Sequence, residues 1–411
     1  MEVKYGLPKE IKYCTKCNIS NQQPMSSNEY KHSNKSSKET MSFDEDGVCY
    51  ACRFNEFKDD GTIDWEAREK ELIELCNKYR KTDGSYDCIV GGSGGKDSVF
   101  QSHILKYKYK MNPLTVTWAP HLYTDIGFQN HQSWVHTGGF DNYLFTPNGK
   151  IHRELTRQAT LNLLHPFQPF ILGQKTFVTK MAHRFNIPLI FYGESPAEYG
   201  EKMSVDTKKY SDIGEKRESE GYSLDPLNGL DERDVLLGGK KVGEYLDEGV
   251  PLVELKNYLP ISSDILKEKK IDFFYLGYFL RWVPQEAYYY AVENAGFKAN
   301  PVRTEGTYSK YNSLDDKTDG FFYYTRYIKF GVGRTMMDAA QEIRNKHITK
   351  DEGIALLKRF EGEYPSRYEK EFLDYVSMSK DEFTELCDSF RSPHLWKKED
   401  GVWSLRKQPW D

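Results

Sequence analysis

The chain of 411 residues is long enough for two or three domains with sizeable cores, and 38% of its residues are hydrophobic against 29% charged. This composition excludes a largely disordered chain, and the lack of any apolar run of about 18 residues predicts no membrane-spanning helix. The formal net charge of −5 excludes a bulk basic surface for nucleic acid, and the start of the sequence has no apolar leader, so we predict a cytoplasmic protein.

The first motif along the chain is a set of two cysteine pairs: Cys14 and Cys17, then Cys49 and Cys52. Two Cys-x₂-Cys pairs in a chain without a secretory leader predict a tetrahedral Cys₄ zinc site. Four thiolate ligands would leave zinc no open coordination position, so this zinc would be structural. Four unrelated thiols, a redox disulfide or an iron–sulfur cluster are the alternatives. We predict a zinc-binding module over residues 1–60.

A polar insertion over residues 18–46 interrupts this module, and a connecting helix is predicted over Ile63–Lys81. Short apolar runs then alternate with helical spacing. The predicted strands are Cys88–Val90, Leu114–Ala119, Asn142–Phe145, Pro188–Tyr192 and Phe273–Tyr278, and helices are predicted near Ser98–Tyr109 and Gly173–Phe185. This alternation predicts an α/β domain over residues 61–300, in which helices cover both faces of a parallel sheet. A charged insertion is predicted near residues 200–270.

The last region, residues 301–411, is predicted to be helical. The sequences T-K-D-E at Thr349–Glu352 and S-K-D-E at Ser379–Glu382 each fit a capping box ahead of apolar helical spacing. Cys88 in a strand and Cys387 in a capped helix are predicted to be core residues.

A glycine-rich turn lies between the first predicted strand and the helix that follows it. The segment reads G-G-S-G-G-K-D-S, and such a turn can direct several backbone N–H groups at one anion. It is not a Walker A loop, because Val90 stands where the first glycine is required and Asp97 stands where Ser or Thr is required. It is not a dinucleotide loop either, because Ser98 replaces a glycine. The alternative is a flexible surface turn.

Charged residues follow other strands at the same edge of the predicted sheet, where ligands bind in open parallel sheets. Glu194 and Glu198 follow Pro188–Tyr192 and are predicted to bind Mg²⁺ or to orient a substrate; an ordinary solvated loop explains them equally well. Lys175 is predicted to reach a phosphate, or to be a surface lysine. Asp125 and Asn130 follow the second strand and are more simply ordinary loop residues.

A third group of charges lies further along the chain. Asp315, Asp316 and Asp319 surround a lysine in a turn-like stretch, and a charged turn is the usual explanation. Arg334, Asp338 and Glu342 fall on one face of a helix, which is typical either of an exposed charge ladder or of an anion site at a helix start.

The segment Ser93-Gly94-Gly95-Lys96-Asp97-Ser98 resembles the S-G-G-x-D-S loop of the N-type ATP pyrophosphatases, or PP-loop enzymes. The resemblance implies that this loop grips the β- and γ-phosphates while ATP is cleaved between its α- and β-phosphates. It also implies that Lys96 and Ser98 neutralise or hydrogen-bond the pyrophosphate, and that Asp97 helps to hold Mg²⁺ directly or through water.

Several further segments resemble the N-acetyl sugar amidotransferase family of bacterial surface-glycan biosynthesis, which belongs to the PP-loop superfamily. They are the cysteine pairs, GESPAEYG (193–200), EGTYSKYNSLDDKTDGF (305–321), IKFGVGR (328–334) and DAAQEIR (338–344). The resemblance implies conversion of a sugar's acetamido group to an acetamidino group, for lipopolysaccharide O-antigens or for nonulosonic acids on flagellin. The sugar is expected to be nucleotide-activated. The acetamide oxygen would attack ATP, and ammonia would then displace AMP.

Catalytic residues and partners follow from the same resemblance. Asp316 or Glu194 is the candidate general base, while Lys329 and Arg334 are candidates to hold the sugar's carboxylate or nucleotide phosphate. No glutaminase domain is recognisable, so we predict a separate glutaminase subunit as the ammonia source; a homo-oligomer is a further expectation. The alternatives are a tRNA-thiolating PP-loop enzyme and a non-catalytic ATP-binding scaffold.

Overall fold

The computed structural model describes residues 1–27, 29–32, 38–200 and 231–411. Parts of both predicted insertions, among them residues 201–230, lie outside these described residues. Within the described ranges, no helix is long and apolar enough to cross a bilayer.

Helices and short strands alternate along most of the described chain. The α-helices, in chain order, are α1 Tyr50–Asp59, α2 Trp65–Tyr79, α3 Lys96–His103, α4 Asp125–His136, α5 Gly149–Leu163, α6 Gln168–Phe185, α7 Val242–Asp247, α8 Leu252–Leu255, α9 Ser263–Glu268, α10 Leu276–Phe279, α11 Pro284–Ala295, α12 Asp319–Phe330, α13 Arg334–Arg344, α14 Lys350–Phe360, α15 Glu369–Val376 and α16 Lys380–Phe390. The strands are β1 Cys88–Gly91, β2 Pro113–Trp118, β3 Asn142–Phe145, β4 Leu189–Tyr192, β5 Leu236–Leu237, β6 Lys240–Lys241, β7 Asp272–Tyr275, β8 Trp396–Glu399 and β9 Val402–Leu405. Single turns of 3₁₀-helix occur at Pro196–Tyr199, Glu232–Asp234 and Lys256–Tyr258.

A five-stranded parallel sheet with the order β3-β2-β1-β4-β7 lies at the centre of the molecule. In its register, Ile89 of β1 lies opposite Leu114 of β2 and Ile190 of β4. Every residue of β2 is buried, as expected for a strand covered on both faces. The predicted α/β parallel sheet is therefore confirmed, and all five predicted strands are present. The last one ends at Tyr275 rather than Tyr278, because α10 begins there.

Alternate residues of the strands enter two separate cores. Ile89 and Ile190 pack with residues of α5 and α6 on one face of the sheet. Val90 and Phe191 pack on the other face, with residues of α2, α10 and the π-helical turn Ile104–Lys108 that continues α3. Because β1 is central and rigidly packed on both sides, the turn that follows it has a fixed position.

The helices of this domain differ from the prediction in extent and number. The predicted connecting helix is α2, and the helix predicted near Gly173–Phe185 begins earlier, at Gln168. Helices α4 and α5 were not predicted. Their buried stripes contain His, Asn and Thr side chains, for example Asn130 in α4 and Thr156 in α5, so an apolar period is hard to recognise in the sequence.

The C-terminal region is helical, as predicted, but ends in an antiparallel hairpin of β8 and β9. Both predicted capping boxes are confirmed: Thr349 with Glu352 begins α14, and Ser379 with Glu382 begins α16. Cys88 and Cys387 are buried in hydrophobic cores, as predicted.

The N-terminal module packs on this C-terminal region. The four paired cysteines share one core with apolar residues of α13 and α14 and of the segment before α13, among them Met336 and Leu357. Lys350 donates a hydrogen bond to the Thr15 carbonyl oxygen at 2.9 Å, and Tyr13 donates one to the Lys407 carbonyl oxygen at 2.7 Å. The first and last parts of the chain therefore form one packed unit.

Candidate active site

The glycine loop, residues 93–98, connects the carboxyl end of β1 to the start of α3. Gly94 has φ +89°, and a Cβ atom there would lie 2.6 Å from the Cα atom of His131, so this position requires glycine. Gly95 is the N-cap of α3, and a Cβ atom there would meet only Ser93 Oγ, at 3.7 Å. Gly94 therefore allows close packing against His131, whereas Gly95 leaves the start of α3 open to the cavity in front of it.

Side chains of the loop fix its shape. The Ser98 hydroxyl accepts a hydrogen bond from the Gly94 N–H at 3.2 Å and donates one to the Gly95 carbonyl oxygen at 2.9 Å. Lys96 Nζ lies 2.5 Å from Asp97 Oδ2. The Ser93 hydroxyl donates to the Asp315 carboxylate, 222 positions further along the chain. Ser98 thus closes the turn on itself, and Ser93 fastens it to the C-terminal region.

A cavity of about 510 Å³ opens in front of the glycine loop. It brings together most of the residues predicted from the sequence to bind ATP or to take part in catalysis: Ser93, Gly95, Lys96, Asp97, Ser98, Lys175, Glu194, Asp316 and Arg334. Gly94 is buried behind the loop and does not line the cavity. Aromatic side chains form much of the remaining wall, among them Trp118, Phe170 and Phe177.

Carboxylates crowd one side of this cavity. Burial raises the pKa of Glu194 to about 7, and the charge of Asp97 adds to this effect. Burial likewise raises the pKa of Asp315 to about 6 and that of Asp316 to about 7. The two hydrogen bonds that Asp316 accepts from the Thr318 N–H and hydroxyl oppose the shift. Acids that titrate near neutral pH in a cleft are suited to accept protons or to bind a cation.

Asp97 and Glu194 are the carboxylates that fit Mg²⁺ best. Asp97 Oδ1 is buried and has no hydrogen-bond partner among the described residues, and Glu194 lines the same cavity. The Tyr199 hydroxyl donates to Glu194 and holds it in place. Mg²⁺ is commonly held by one or two carboxylates together with substrate phosphates, which is the donor set that this part of the cavity offers.

Arg334 lies in the cavity wall at the start of α13. It donates to the Tyr323 hydroxyl, and its Nε lies 3.0 Å from Asp338 Oδ1. The side chains of Arg334 and Asp338 are 16% and 6% exposed, so the interpretation of Arg334, Asp338 and Glu342 as an exposed charge ladder is wrong.

The expected anion site at the start of α13 is also wrong in its simple form. Glu361 occupies this helix start and accepts hydrogen bonds from the Gly333 N–H at 2.5 Å and the Met336 N–H at 2.9 Å. Because the Glu361 carboxylate already accepts hydrogen bonds from these N–H groups, any anion near Arg334 must be bound by side chains.

Lys329 lies outside the cavity, which corrects the prediction that it holds a substrate anion. It is 1% exposed, and its Nζ bonds to Glu29 Oε1 at 2.6 Å and to the Leu163 carbonyl oxygen at 2.9 Å. Its positive charge is therefore paired with the Glu29 carboxylate inside the protein.

Glu198 likewise forms an ion pair in the interior and does not act beside Glu194. Its Oε1 accepts a hydrogen bond from Lys58 at 2.7 Å, and the Lys58 side chain is fully buried. Asp125 is the first residue of α4, and Asn130 bonds to the backbone of Lys298, so both have structural positions.

Some residues of the cavity were not recognised in the sequence. Tyr199, Tyr323 and Gln341 line it, and Asp315 and Asp319 were interpreted as part of an ordinary charged turn. The sequence signal for the aspartates was present, since three carboxylates within five positions repel one another unless a ligand or a cation balances them. The tyrosines gave no comparable signal in a chain with 29 of them.

The four paired cysteines form a compact buried cluster. Their sulfur atoms all lie within 4.8 Å of one another; Cys14 Sγ lies 3.8 Å from Cys52 Sγ, and Cys17 Sγ lies 3.6 Å from Cys49 Sγ. A tetrahedral zinc site with Zn–S bonds of about 2.3 Å has S···S edges of about 3.8 Å. The cluster therefore fits a structural zinc ion, with Arg344 donating to Cys17 Sγ from outside the tetrahedron.

Comparison with known proteins finds a family model that matches the C-terminal region. Residues 305–409 match the family model described as "LPS biosynthesis protein WbpG-like, C-terminal domain". A stretch of 52 residues is 46% identical to Uncharacterized protein MJ1599 of Methanocaldococcus jannaschii and covers 13% of this chain. The chain thus spans about a fifth, 19%, of the length of this curated relative.

Two solved structures align with about half of the chain. NH3-dependent NAD synthetase from Campylobacter jejuni is 14% identical, with a TM-score of 0.27, and the alignment covers 51% of this chain and 93% of that one. NMN synthetase from Francisella tularensis is 13% identical, with a TM-score of 0.26, and the alignment covers 51% and 96%. These TM-scores and identities are too low to support a conclusion about activity. The fold is described by the sheet order given above.

The match to the family model includes the residues that complete the cavity. Asp315, Asp316, Asp319, Tyr323 and Arg334 all lie within residues 305–409. The part of the chain that closes the site in front of the glycine loop is therefore similar to the WbpG-like C-terminal domain of LPS biosynthesis proteins.

Proposed function

We propose that the protein is an ATP-dependent amidotransferase that converts the acetamido group of a bacterial surface-glycan sugar to an acetamidino group. The observation that supports this proposal is that two different parts of the chain line one cavity. The glycine loop, which resembles that of ATP pyrophosphatases, faces carboxylates from a domain of the LPS biosynthesis family. This combination supports an ATP-cleaving site that acts in a sugar pathway.

In the first step the acetamide oxygen attacks the α-phosphorus of ATP, and the bond to the bridging oxygen of the β-phosphate breaks. The open start of α3 and Lys96 lie where they would stabilise the charge on the departing pyrophosphate. When bound, Mg²⁺ supplies further charge neutralisation, and Asp97 and Glu194 would hold it. The sugar is left as an adenylated imidate.

In the second step ammonia adds to the imidate carbon, AMP leaves and the amidine forms. The attacking nitrogen must lose a proton, and a carboxylate with a pKa near 7 is suited to accept it. Asp316 and Glu194 both meet this condition. Because Glu194 is also the better Mg²⁺ ligand, Asp316 is the preferred base.

Ammonia is proposed to come from a separate glutaminase subunit. All seven cysteines of the chain are buried, and burial raises the pKa of Cys76 and of Cys387 to about 12. Burial also raises the pKa of Cys88, so the three thiols outside the cluster are unsuited to be the nucleophile of a glutaminase, and the other four face one another within the cluster. The same fact removes support from the tRNA-thiolating alternative, which requires a reactive cysteine near the loop.

The test is pyrophosphate release from ATP and Mg²⁺ in the presence of ammonium and a panel of acetamido sugars, free and nucleotide-linked. Mass spectrometry of the sugar is expected to show oxygen replaced by NH. Asp97→Asn is expected to abolish both signals, while Asp351→Asn, the same change at an exposed position of α14, leaves them intact. Pyrophosphate release only with tRNA and a sulfur donor would support the thiolating enzyme instead. ATP binding without turnover under all these conditions would support a scaffold.

A further inference from the structure

The short 3₁₀ turn Pro196–Tyr199 has contacts with two different parts of the molecule. On the cavity side, the Tyr199 hydroxyl donates a hydrogen bond to Glu194, and both side chains line the cavity. On the other side, the Glu198 carbonyl oxygen accepts a hydrogen bond from Arg344 Nη2 at 3.1 Å. This carbonyl belongs to the planar peptide group that includes the Tyr199 nitrogen. Arg344 therefore holds the backbone from which the Tyr199 side chain extends.

Arg344 uses two nitrogen atoms of one guanidinium group for two different acceptors. Nη2 bonds to the turn, while Nη1 donates to Cys17 Sγ at 3.8 Å. The residue is 9% exposed, and its own carbonyl oxygen accepts a hydrogen bond from Asn55 of α1 at 2.6 Å. A guanidinium group is planar and rigid, so a displacement of one nitrogen atom moves the other. A single buried side chain thus connects the cluster of four cysteines to the turn beside the cavity.

A metal ion in the cysteine cluster would fix the position of this connection. Zinc holds four thiolates at the corners of a tetrahedron, so the Cys17 sulfur atom would have one place relative to the other three. Groups that bond to metal ligands from outside are ordered together with those ligands. A bound zinc ion would therefore also order the Arg344 guanidinium group and the carbonyl group that it contacts.

Helix α1 connects the same module to the side chain of Glu198. Cys49 is the N-cap of α1, Cys52 is buried within the helix, and Lys58 near its other end donates to Glu198 Oε1 at 2.7 Å. Lys58 thus fixes the Glu198 carboxylate, whereas Arg344 fixes the Glu198 carbonyl group. Of these two cations, Arg344 is the one that contacts a cysteine sulfur atom, so it is the more direct connection to the cluster.

We propose that Arg344 is a positioning residue that couples the cysteine cluster to the Mg²⁺ site, because it holds the turn from which Tyr199 orients Glu194. Arg344 is not among the residues that line the cavity, so it acts through the turn and not on a substrate. The cysteine cluster would then affect the reaction and not only the stability of the fold. This inference rests on the proposed function, in which Glu194 holds Mg²⁺.

The hydrogen bond from Tyr199 matters for the charge of Glu194. Burial and the neighbouring charge of Asp97 raise the pKa of Glu194 to about 7, whereas the Tyr199 hydroxyl favours the ionised form. The ionised form is the one that binds a cation. A variant that misplaces Tyr199 is therefore expected to need more Mg²⁺, while the rest of the nucleotide site stays intact.

The first measurement is the Mg²⁺ dependence of α,β-methylene-ATP binding, followed by calorimetry. We expect Arg344→Met and Tyr199→Phe each to raise the half-saturating Mg²⁺ concentration by about threefold or more. At saturating Mg²⁺ the affinity for the analogue is expected to stay close to that of the wild type. Arg344→Lys keeps a donor at this position and is expected to restore part of the loss.

Lys350→Met is the matched control for this measurement. Lys350 bonds to the Thr15 carbonyl oxygen and so joins the N-terminal module to the C-terminal region without contacting the turn. Its removal is expected to leave the Mg²⁺ requirement unchanged. An unchanged requirement in Arg344→Met would overturn the proposal. A loss of affinity in Arg344→Met that persists at saturating Mg²⁺ would make Arg344 a general structural residue and would overturn it as well.

The second measurement is hydrogen–deuterium exchange of the peptide that covers residues 193–200, with the zinc content of each sample determined. The N–H groups of Glu198 and Gly200 donate hydrogen bonds within this peptide at 3.0 and 3.1 Å, so their exchange reports the order of the turn. We expect faster exchange in zinc-loaded Arg344→Met, and in wild type treated with a zinc-selective chelator below its melting temperature. Chelation of Arg344→Met is expected to add little.

Loss of zinc from Arg344→Met would make Arg344 a structural part of the cluster and would overturn the proposal. An equal effect of chelation on wild type and Arg344→Met would also overturn it, because the coupling would then follow another route. If Arg344→Met does not fold, Arg344→Lys takes its place, with a Mg²⁺ requirement expected above that of the wild type. The proposed function fails separately: if the wild type does not bind the ATP analogue, the exchange measurement alone decides whether Arg344 orders the turn.

Discussion

Gly94 and Gly95 are adjacent in the glycine loop, but a side chain would meet different surroundings at each. A Cβ atom on Gly94 would collide with the backbone of His131, and the residue would have to keep φ +89°, whereas a Cβ atom on Gly95 would meet only Ser93 Oγ, in ordinary contact at 3.7 Å. The sequence identifies both glycines as parts of one motif. It does not distinguish them, because the collision involves α4, which lies 37 positions further along the chain.

This difference gives the first prediction. Gly94→Ala is expected to destabilise the protein by about 2 kcal/mol or more, because the position is strained and crowded. Gly95→Ala is expected to keep the wild-type stability but to bind ATP more weakly, since the methyl group occupies space in front of the helix start. Urea unfolding and ATP-binding titrations of the two variants check this. Equal losses of stability in both would contradict the packing described here.

Glu361 gives a second prediction at this scale. Burial raises its pKa from the usual 4.5 to about 7, even though two backbone N–H groups favour its charged form. A carboxyl group whose pKa is higher in the folded protein stabilises that state at low pH, and this contribution is lost as pH rises through about 7. The wild type is therefore expected to lose up to about 3 kcal/mol relative to Glu361→Gln between pH 5 and pH 8.

Denaturant unfolding of both proteins across this pH range measures the difference. Glu385→Gln, at an exposed position of α16, is the matched control. A gap between wild type and Glu361→Gln that stays constant with pH would rule out the raised pKa. The sequence gives no sign of this behaviour, because Glu361 meets the start of α13 only after the intervening helix α14 has folded back.

Among the elements, the loop after β4 is held more firmly than its sequence suggests. Lys58 at the end of α1 bonds to Glu198 and to the Trp282 carbonyl oxygen, both at less than 3 Å. Arg344 at the end of α13 bonds to the Glu198 carbonyl oxygen at 3.1 Å. The N-terminal module and the C-terminal region thus both bind Glu198, which lies in the short 3₁₀ turn Pro196–Tyr199 beside Glu194.

The third prediction concerns this buried ion pair. Lys58→Met is expected to destabilise the protein by about 3–5 kcal/mol, because it leaves Glu198 buried and uncompensated. The double variant Lys58→Met with Glu198→Gln is expected to recover much of the loss. Lys346→Met removes an exposed partner of Asp59 and is expected to cost less than about 1 kcal/mol. The result is checked by denaturant unfolding, and a mild effect of Lys58→Met would show that the pair is not essential.

Sequence patterns predicted the strands better than the helices for a physical reason. Strands buried on both faces are uninterrupted apolar runs, as in β2. In α5 the buried stripe includes Thr156 and Thr160, whose hydroxyls bond to carbonyl oxygens one turn earlier and so need no outside partner. In α4 it includes Asn130, which is satisfied by a segment 168 positions away. Such long-range partners cannot be inferred from local spacing.

For the whole molecule, the position of the four-cysteine module decides how the loss of a bound zinc ion would act. Cys14 and Cys49 share a core with Met336, Ala340 and Leu357 of the C-terminal region. A module that packed only on itself could unfold alone, whereas this one would expose part of the C-terminal core. The spacing of the four cysteines predicted that they lie together, but not what they pack against.

The fourth prediction follows from this packing. The purified protein is expected to contain one zinc ion per chain, and its removal by a chelator is expected to lower the melting temperature of the whole protein in one cooperative transition. Cys52→Ser is expected to behave like the chelated wild type, and Cys76→Ser, outside the cluster, is the control for loss of a buried thiol. Calorimetry with metal analysis measures both. A separate low-temperature transition for the module would contradict the shared core.

The bond from Ser93 to Asp315 has a consequence for how such proteins are identified in genomes. The S-G-G-K-D-S signature occupies six consecutive positions, but the carboxylate that holds its first serine is encoded more than two hundred codons downstream. A gene truncated before that point would still be found in a search for the signature, although its product would lack one wall of the cavity. Annotation of related open reading frames should therefore require the downstream aspartates together with the loop.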